Sequence, residues 1–289
     1  MHQATWVSNA VLVLLSVIFS ASLPAAPYQF EAGLARDQIT RDIENNGDVK
    51  TDITTANLKY FLKPVINSNG PLAERAFLSK SAFISGSFGQ SETDANSSTD
   101  VLRLNTRFVT QTNFILELEY AERTLELLSL VDSGPGTAPG LTNVGSIDQD
   151  SLRIGVGKYL DHRSLAVVSI ESTEATGDTT TLAARYRRLL DGAAPNTHIA
   201  YSLKLAYTDT DSDSGYEVRG TGFYYFSERL SAGADLSYLD VGQSSINGIS
   251  LLGRYFFNES ISGNAYYALT QTSNDQDSDT IGVGVRARF

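Results

Sequence analysis

Residues 100–124 read DVLRLNTRFVTQTNFILELEYAERT. Leu102, Leu104 and Phe108 alternate with Arg103, Asn105 and Arg107. After the link VTQTN (109–113), Phe114, Leu116, Leu118 and Tyr120 alternate with Glu117 and Glu119. Successive side chains of an extended chain point to opposite faces, so this alternation marks two strands, and the short polar link makes them a hairpin. One face is apolar and the other is charged. What covers the apolar face decides the fold.

The pattern recurs along the chain. Strands are expected at 27–38, 49–62, 80–90, 100–109, 113–124, 150–159, 164–174, 179–190, 197–208, 215–226, 230–241, 246–257, 260–272 and 278–289. That is about fourteen, an even number, and no segment sustains a 3.6-residue apolar period. Further apolar sets are Leu152, Ile154 and Val156; Tyr201, Leu203, Leu205 and Tyr207; and Ile249, Leu251 and Tyr255. Opposite them stand Arg153, Lys204 and Arg254. Arg or Lys facing lipid at the bilayer midplane costs about 2–4 kcal/mol, so the charged face belongs inside. A soluble barrel would invert this, but a lumen of fourteen strands is too wide for side chains to fill and must meet water. A closed ring also leaves no unpaired backbone edge in lipid. The expected fold class is all-β, a transmembrane antiparallel β-barrel.

The connections sort into two classes. VTQTN (109–113), LDHR (160–163), SER (227–229) and NES (258–260) are short. RDIENNGD (41–48), SETDANSSTD (91–100), 125–150, DTDSDSG (209–215) and SNDQDSD (273–279) are longer and acidic. Short turns at one end and long polar loops at the other suit an outer-membrane barrel with both termini in the periplasm. Aromatic residues flank the short turns (Phe108, Phe114, Tyr159, Tyr224, Phe226, Tyr255, Phe257), and Tyr120, Tyr207 and Tyr238 lie toward the loops, like two interfacial girdles. FYYFSERLSAGADLSY (223–238) repeats weakly as RYFFNESISGNAYYAL (254–269), so the repeated unit is a hairpin.

Residues 7–19, VSNAVLVLLSVIF, are too short an apolar run for a spanning helix and precede the small residues SASLPAA (20–26). A signal peptide over 1–26, cleaved between 22 and 26, is expected although MHQATW lacks Lys and Arg; the barrel is then 27–289. The chain has no cysteine, and its net charge of -11 argues against nucleic acid as a partner. Beyond residue 26 the histidines are His162 and His198, both at the short-turn end, and no G-x-S-x-G, metal cluster or phosphate loop appears. Neither an enzyme nor a cofactor nor a metal site is expected. Asp209, Asp211, Asp213 and Gly215 resemble part of a calcium loop without its closing Glu; they read as a solvated acidic loop that could bridge to lipopolysaccharide through divalent cations.

Inside the barrel, even-numbered strands carry the bases Lys59, Arg103, Arg107, Arg153, Arg185, Arg187, Arg219, Arg254, Arg286 and Arg288. Odd-numbered strands carry mainly acids, Glu31, Glu117, Glu119 and Asp235; Lys204 and Glu217 depart from the rule. Opposite charges should therefore meet across strands and stiffen the wall. The surplus of arginine also makes the lumen a candidate anion-favouring constriction.

Leu58 to Gly86, LKYFLKPVINSNGPLAERAFLSKSAFISG, resembles the general bacterial porin family of Gram-negative outer-membrane β-barrels through Lys63-Pro64-Val65, Gly70-Pro71-Leu72-Ala73-Glu74 and Ala76-Phe77-Leu78. The repeated hairpins and the terminal Phe289 fit the same family. The resemblance implies a barrel and a passive diffusion channel for small hydrophilic solutes, without naming a solute. A closed structural or adhesive barrel with acidic loops is the alternative. Outer-membrane lipid and lipopolysaccharide are the expected surroundings, and a homo-oligomer is left open. Residues 63–79 read as an inert ordered turn, with PLAERAFL able to form one helical turn packing Leu72, Phe77 and Leu78 on the barrel base. Residues 125–150 are apolar enough to enter the lumen, cover its mouth or touch a neighbouring protomer. The last strand, TIGVGVRARF (280–289), closes the ring against Tyr28 to Leu34, and its Phe289 resembles the signal read by the barrel-assembly machinery.

Overall fold

The computed structural model describes residues 27–43, 47–66, 70–94, 97–131, 140–174, 177–273 and 277–289. The expected signal peptide lies outside the described residues. The strands are β1 (Tyr28–Ile43), β2 (Gly47–Val65), β3 (Phe83–Thr93), β4 (Ser97–Val109), β5 (Phe114–Val131), β6 (Gly140–Tyr159) and β7 (Ser164–Glu174). They continue as β8 (Asp178–Asp191), β9 (His198–Thr210), β10 (Ser214–Tyr225), β11 (Leu230–Val241), β12 (Ser244–Phe256), β13 (Ile261–Thr272) and β14 (Ser278–Arg288). Each pairs antiparallel with its sequence neighbours, and β14 returns to β1, closing a barrel of fourteen strands. At the seam Arg286 lies opposite Gly33 and Val285 opposite Leu34. Phe289 finishes it: its N–H donates to the Phe30 carbonyl at 3.0 Å and its ring stacks on Phe30 at 5.8 Å.

The outer surface carries the apolar sets. Leu251 is 61% exposed and Leu236, Ile281 and Val283 are each 57% exposed. Among the described residues no helix is long and apolar enough to cross a membrane; the strands form the crossing. Leu251→Lys is expected to lower the stability of the barrel in lipid vesicles by about 2–4 kcal/mol, read as a fall in the urea midpoint of folding. An unmoved midpoint would place that face outside the bilayer.

The division into short turns and long loops does not hold. Strands continue into the acidic segments, so the β9–β10 link shrinks to 211–213 and the β11–β12 link to 242–243. Residues 125–131 and 140–150 also continue the β5–β6 ladder, with Glu126 opposite Ser146 and Val131 opposite Gly140. A loop spanning 125–150 is thereby replaced by a paired ribbon, and only 132–139 lie outside the described residues. The physical reason is that above the membrane both faces of a strand meet water. Side-chain alternation fades there, while backbone groups still need partners and the ladder goes on.

Candidate functional site

The two ends of the bore differ. Two prolines, Pro64 near the end of β2 and Pro71 in the β2–β3 connection, lack an N–H for a ladder, and Gly70 takes φ +147°. A Cβ at Gly70 would sit 2.9 Å from the Leu78 Cδ1, so the turn closes only over glycine. Leu72–Glu74 then form a 3₁₀ turn and Arg75–Leu78 the short helix α1. This segment folds into the barrel and not away from it.

Its bonds run to the wall on every side. The Leu72 N–H donates to the Glu228 carbonyl at 2.9 Å, in the β10–β11 turn, and Arg288 of β14 donates to the Leu72 carbonyl at 2.8 Å. Glu74 accepts from Arg187 of β8 and from the Tyr225 hydroxyl of β10, both at 2.5 Å. Arg75 reaches Glu259 in the β12–β13 turn at 3.1 Å, and Lys80 donates to Asn113 beside β5 at 2.9 Å. Phe77 is 6% exposed and packs with Ile115, Tyr159, Leu165, Val167, Leu189, Ala200 and Tyr225, contributed by six strands. Glu74 and Arg75 are only 2% and 5% exposed, a burial tolerable for charges because both are paired. At the same rim the Arg163 N–H donates to Asp161 at 2.6 Å and holds that carboxyl below its ordinary range.

Where an ordered turn on the barrel base was expected, residues 70–81 fold into the end of the bore as a plug segment bonded to the wall. The helical turn and the packing of Leu72 and Phe77 follow the sequence, but no bonding role was expected of Glu74, Arg75, Tyr225 or Glu259. Two signals pointed to them. One is the adjacent acid and base in PLAERAFL, charges without purpose in a turn packed on an apolar base. The other is the hairpin repeat, whose matched residues Glu228 and Glu259 both hold the plug, one by its carbonyl and one by its carboxylate. The repeat extends to geometry: Phe226 and Phe257 each donate to the residue four ahead at 3.0 Å, and each forms an edge-on ring pair with the tyrosine two before it.

Above the plug the wall is charged. Arg107 donates to Glu117 from the adjacent strand, and Arg185 reaches the same carboxylate at 2.8 Å from β8, three strands away. Glu119 takes Arg103 at 3.4 Å on one side and Arg153 on the other. Arg219 pairs with Asp235 at 3.0 Å, Arg288 with Glu31 at 2.8 Å and Lys204 with Glu217 at 2.6 Å. Lys59, Arg254 and Arg286 form no ion pair with a described residue; Lys59 lies 4.4 Å over the Phe83 ring and Arg254 5.8 Å over Phe223. A cavity of about 240 Å³ lies between Arg107, Arg185, Arg187, Leu165 and Phe223.

Solved structures share this architecture. The Acinetobacter baumannii outer membrane protein Omp33 superposes with a TM-score of 0.59 at 20% identity, over 92% of this chain and 100% of that one. The CymD monoaromatic hydrocarbon channel gives 0.54 at 12% identity over 91% and 89%. The TodX monoaromatic hydrocarbon channel deltaS2 mutant gives 0.54 at 10% identity over 92% and 91%. No family model and no curated protein matches the chain in sequence. At these identities the likeness is one of fold, and that fold is the outer-membrane β-barrel.

Proposed function

We propose that this protein is a gated outer-membrane channel for small hydrophilic solutes, closed at one end by residues 70–81 and biased toward anions. The observation that carries the reading is the construction of the lumen. A wall of arginines and carboxylates needs water beside it, and the plug is a separate segment held by hydrogen bonds and apolar contacts that can break without opening the barrel. Rings of fixed charge select ions, and bases outnumber acids among the residues lining this bore. Outer-membrane lipid covers the apolar face, the plug end lies in the periplasm, and Phe289 serves the assembly machinery in the same reading.

The plug also favours a second reading, a closed structural or adhesive barrel. Planar-bilayer recording of the purified protein separates them. The channel reading expects currents that switch between closed and open, with a reversal potential on the anion side under a salt gradient. A wild-type protein that never conducts supports the closed barrel, and a reversal potential on the cation side removes the anion bias.

A further inference from the structure

The charged wall is not uniform around the bore. From β4 round to β11, Arg103, Arg107, Arg153, Arg185, Arg187 and Arg219 all have carboxylate partners. From β12 round to β2, Arg254, Arg286 and Lys59 have none among the described residues. These three also share a level. Arg286 stands one inward position above Arg288, whose guanidinium holds the plug through the Leu72 carbonyl. Arg254 stands one inward position above Phe256, which is 2% exposed, and Lys59 one above Phe61, which is 1% exposed. They form a layer seated directly on the buried base.

Their neighbours leave them without an ion pair among the described residues, with Glu31 and Glu74 the carboxylates within electrostatic reach. Arg286 lies between Gly33 and Ser262, and Arg254 between Ser231 and Asn264, none of them acidic. Lys59 lies beside Glu31, whose Oε1 accepts from Arg288 at 2.8 Å and whose charge is also within reach of Lys59 and Arg286. Phe83 under Lys59 and Phe223 under Arg254 orient the cations without consuming all their N–H donors. Arg286 is within electrostatic reach of both other cations. Like charges gathered on a low-dielectric floor repel one another, and the repulsion is relieved when a negative group shares the layer.

We infer that Lys59, Arg254 and Arg286 form a binding site, on top of the plug, for a small oxyanion carrying two or more negative charges. Three donors on three separate strands suit several acceptor oxygens pointing in different directions, and guanidinium groups match carboxylate and phosphate geometry. A monovalent ion such as chloride satisfies only one of them. The inference deepens the channel reading and rests on it in one respect, that solute reaches the layer from the unplugged end.

Titration calorimetry of the purified protein in detergent at low ionic strength tests the site, with citrate, inorganic phosphate and chloride as probes. Saturable binding of citrate or phosphate is expected, with chloride silent; the better of the two identifies polycarboxylates or phosphates as the class. Arg254→Gln and Arg286→Gln should each weaken binding by about tenfold, the loss of one charge-assisted contact. Arg36→Gln removes the same charge from the outer face, where its side chain is 69% exposed, and should leave affinity within about twofold. Absence of saturable binding to the wild type, or equal affinity in the two lumenal variants, overturns the site. Calorimetry reads no current, so a barrel that binds but never conducts refutes the channel alone, and one that conducts but does not bind refutes the site alone.

Discussion

Replacing residues 66–81 with a short Gly/Asn turn is expected to give a barrel that conducts continuously, with a mean current on the order of tenfold or more above the wild type in planar bilayers. The ring does not depend on the plug for closure. Every strand pairs with two neighbours, and β2 and β3 are already in register at Phe61 and Phe83, where the shortened turn would join them. What the deletion removes is the only described segment that crosses the bore at this end, together with the Glu74, Arg75 and Leu72 bonds to β8, β10, β14 and two turns. The exposed floor would then be Ile115, Leu165, Val167 and Leu189, so the new pore should also be more prone to brief dewetting closures. A deleted barrel that inserts but stays silent would mean that the bore is closed elsewhere, and the gate assigned to residues 70–81 would be wrong.

Phe77→Ala is the milder change with the second largest effect. Phe77 places its ring 5.8 Å from Tyr159 and 4.7 Å from the Arg187 guanidinium, within the apolar cluster of the base. Truncating a buried Phe to Ala typically costs about 3–5 kcal/mol. The contacts exist only while the plug is seated, so the cost falls on the closed state. Three kcal/mol is roughly 150-fold in the ratio of open to closed protein. Single-channel recording should show long openings replacing rare ones, while the unfolding midpoint of the barrel moves little. An unchanged open fraction would show that the plug does not leave its seat when current flows. The polar bonds alone would not predict so steep a change, because Glu74 and Arg187 regain water when the plug withdraws and the net worth of their pairing is small.

The strands themselves were legible because their signal is local. Alternation in 100–124 or 246–257 fixes which side chains share a face without any knowledge of the partner strand. Lumenal bases on even strands opposite acids on odd ones follow from the same period, and the Arg219–Asp235 and Arg107–Glu117 contacts are of that kind. The strand ends were less legible. Where both faces meet water, as in 125–131 and 140–150, the sequence loses its period while the ladder continues.

The plug was beyond reach for a different reason. Glu74 and Tyr225 are 151 residues apart, Arg75 and Glu259 184, and Arg288 and Leu72 216. No local pattern tells a turn whether to fold into a bore or away from it; that depends on which side chains the closed ring brings to its rim. The same holds for Arg185, which reaches Glu117 over the inner wall from three strands away. By itself the sequence determined a barrel of about fourteen strands, its lipid face and its charged lining, since each rests on a period of two residues. Only the tertiary structure decided that residues 70–81 fold into one end of the bore, and that Lys59, Arg254 and Arg286 have no ion-pair partner among the described residues, since both depend on curvature bringing distant strands to the same level.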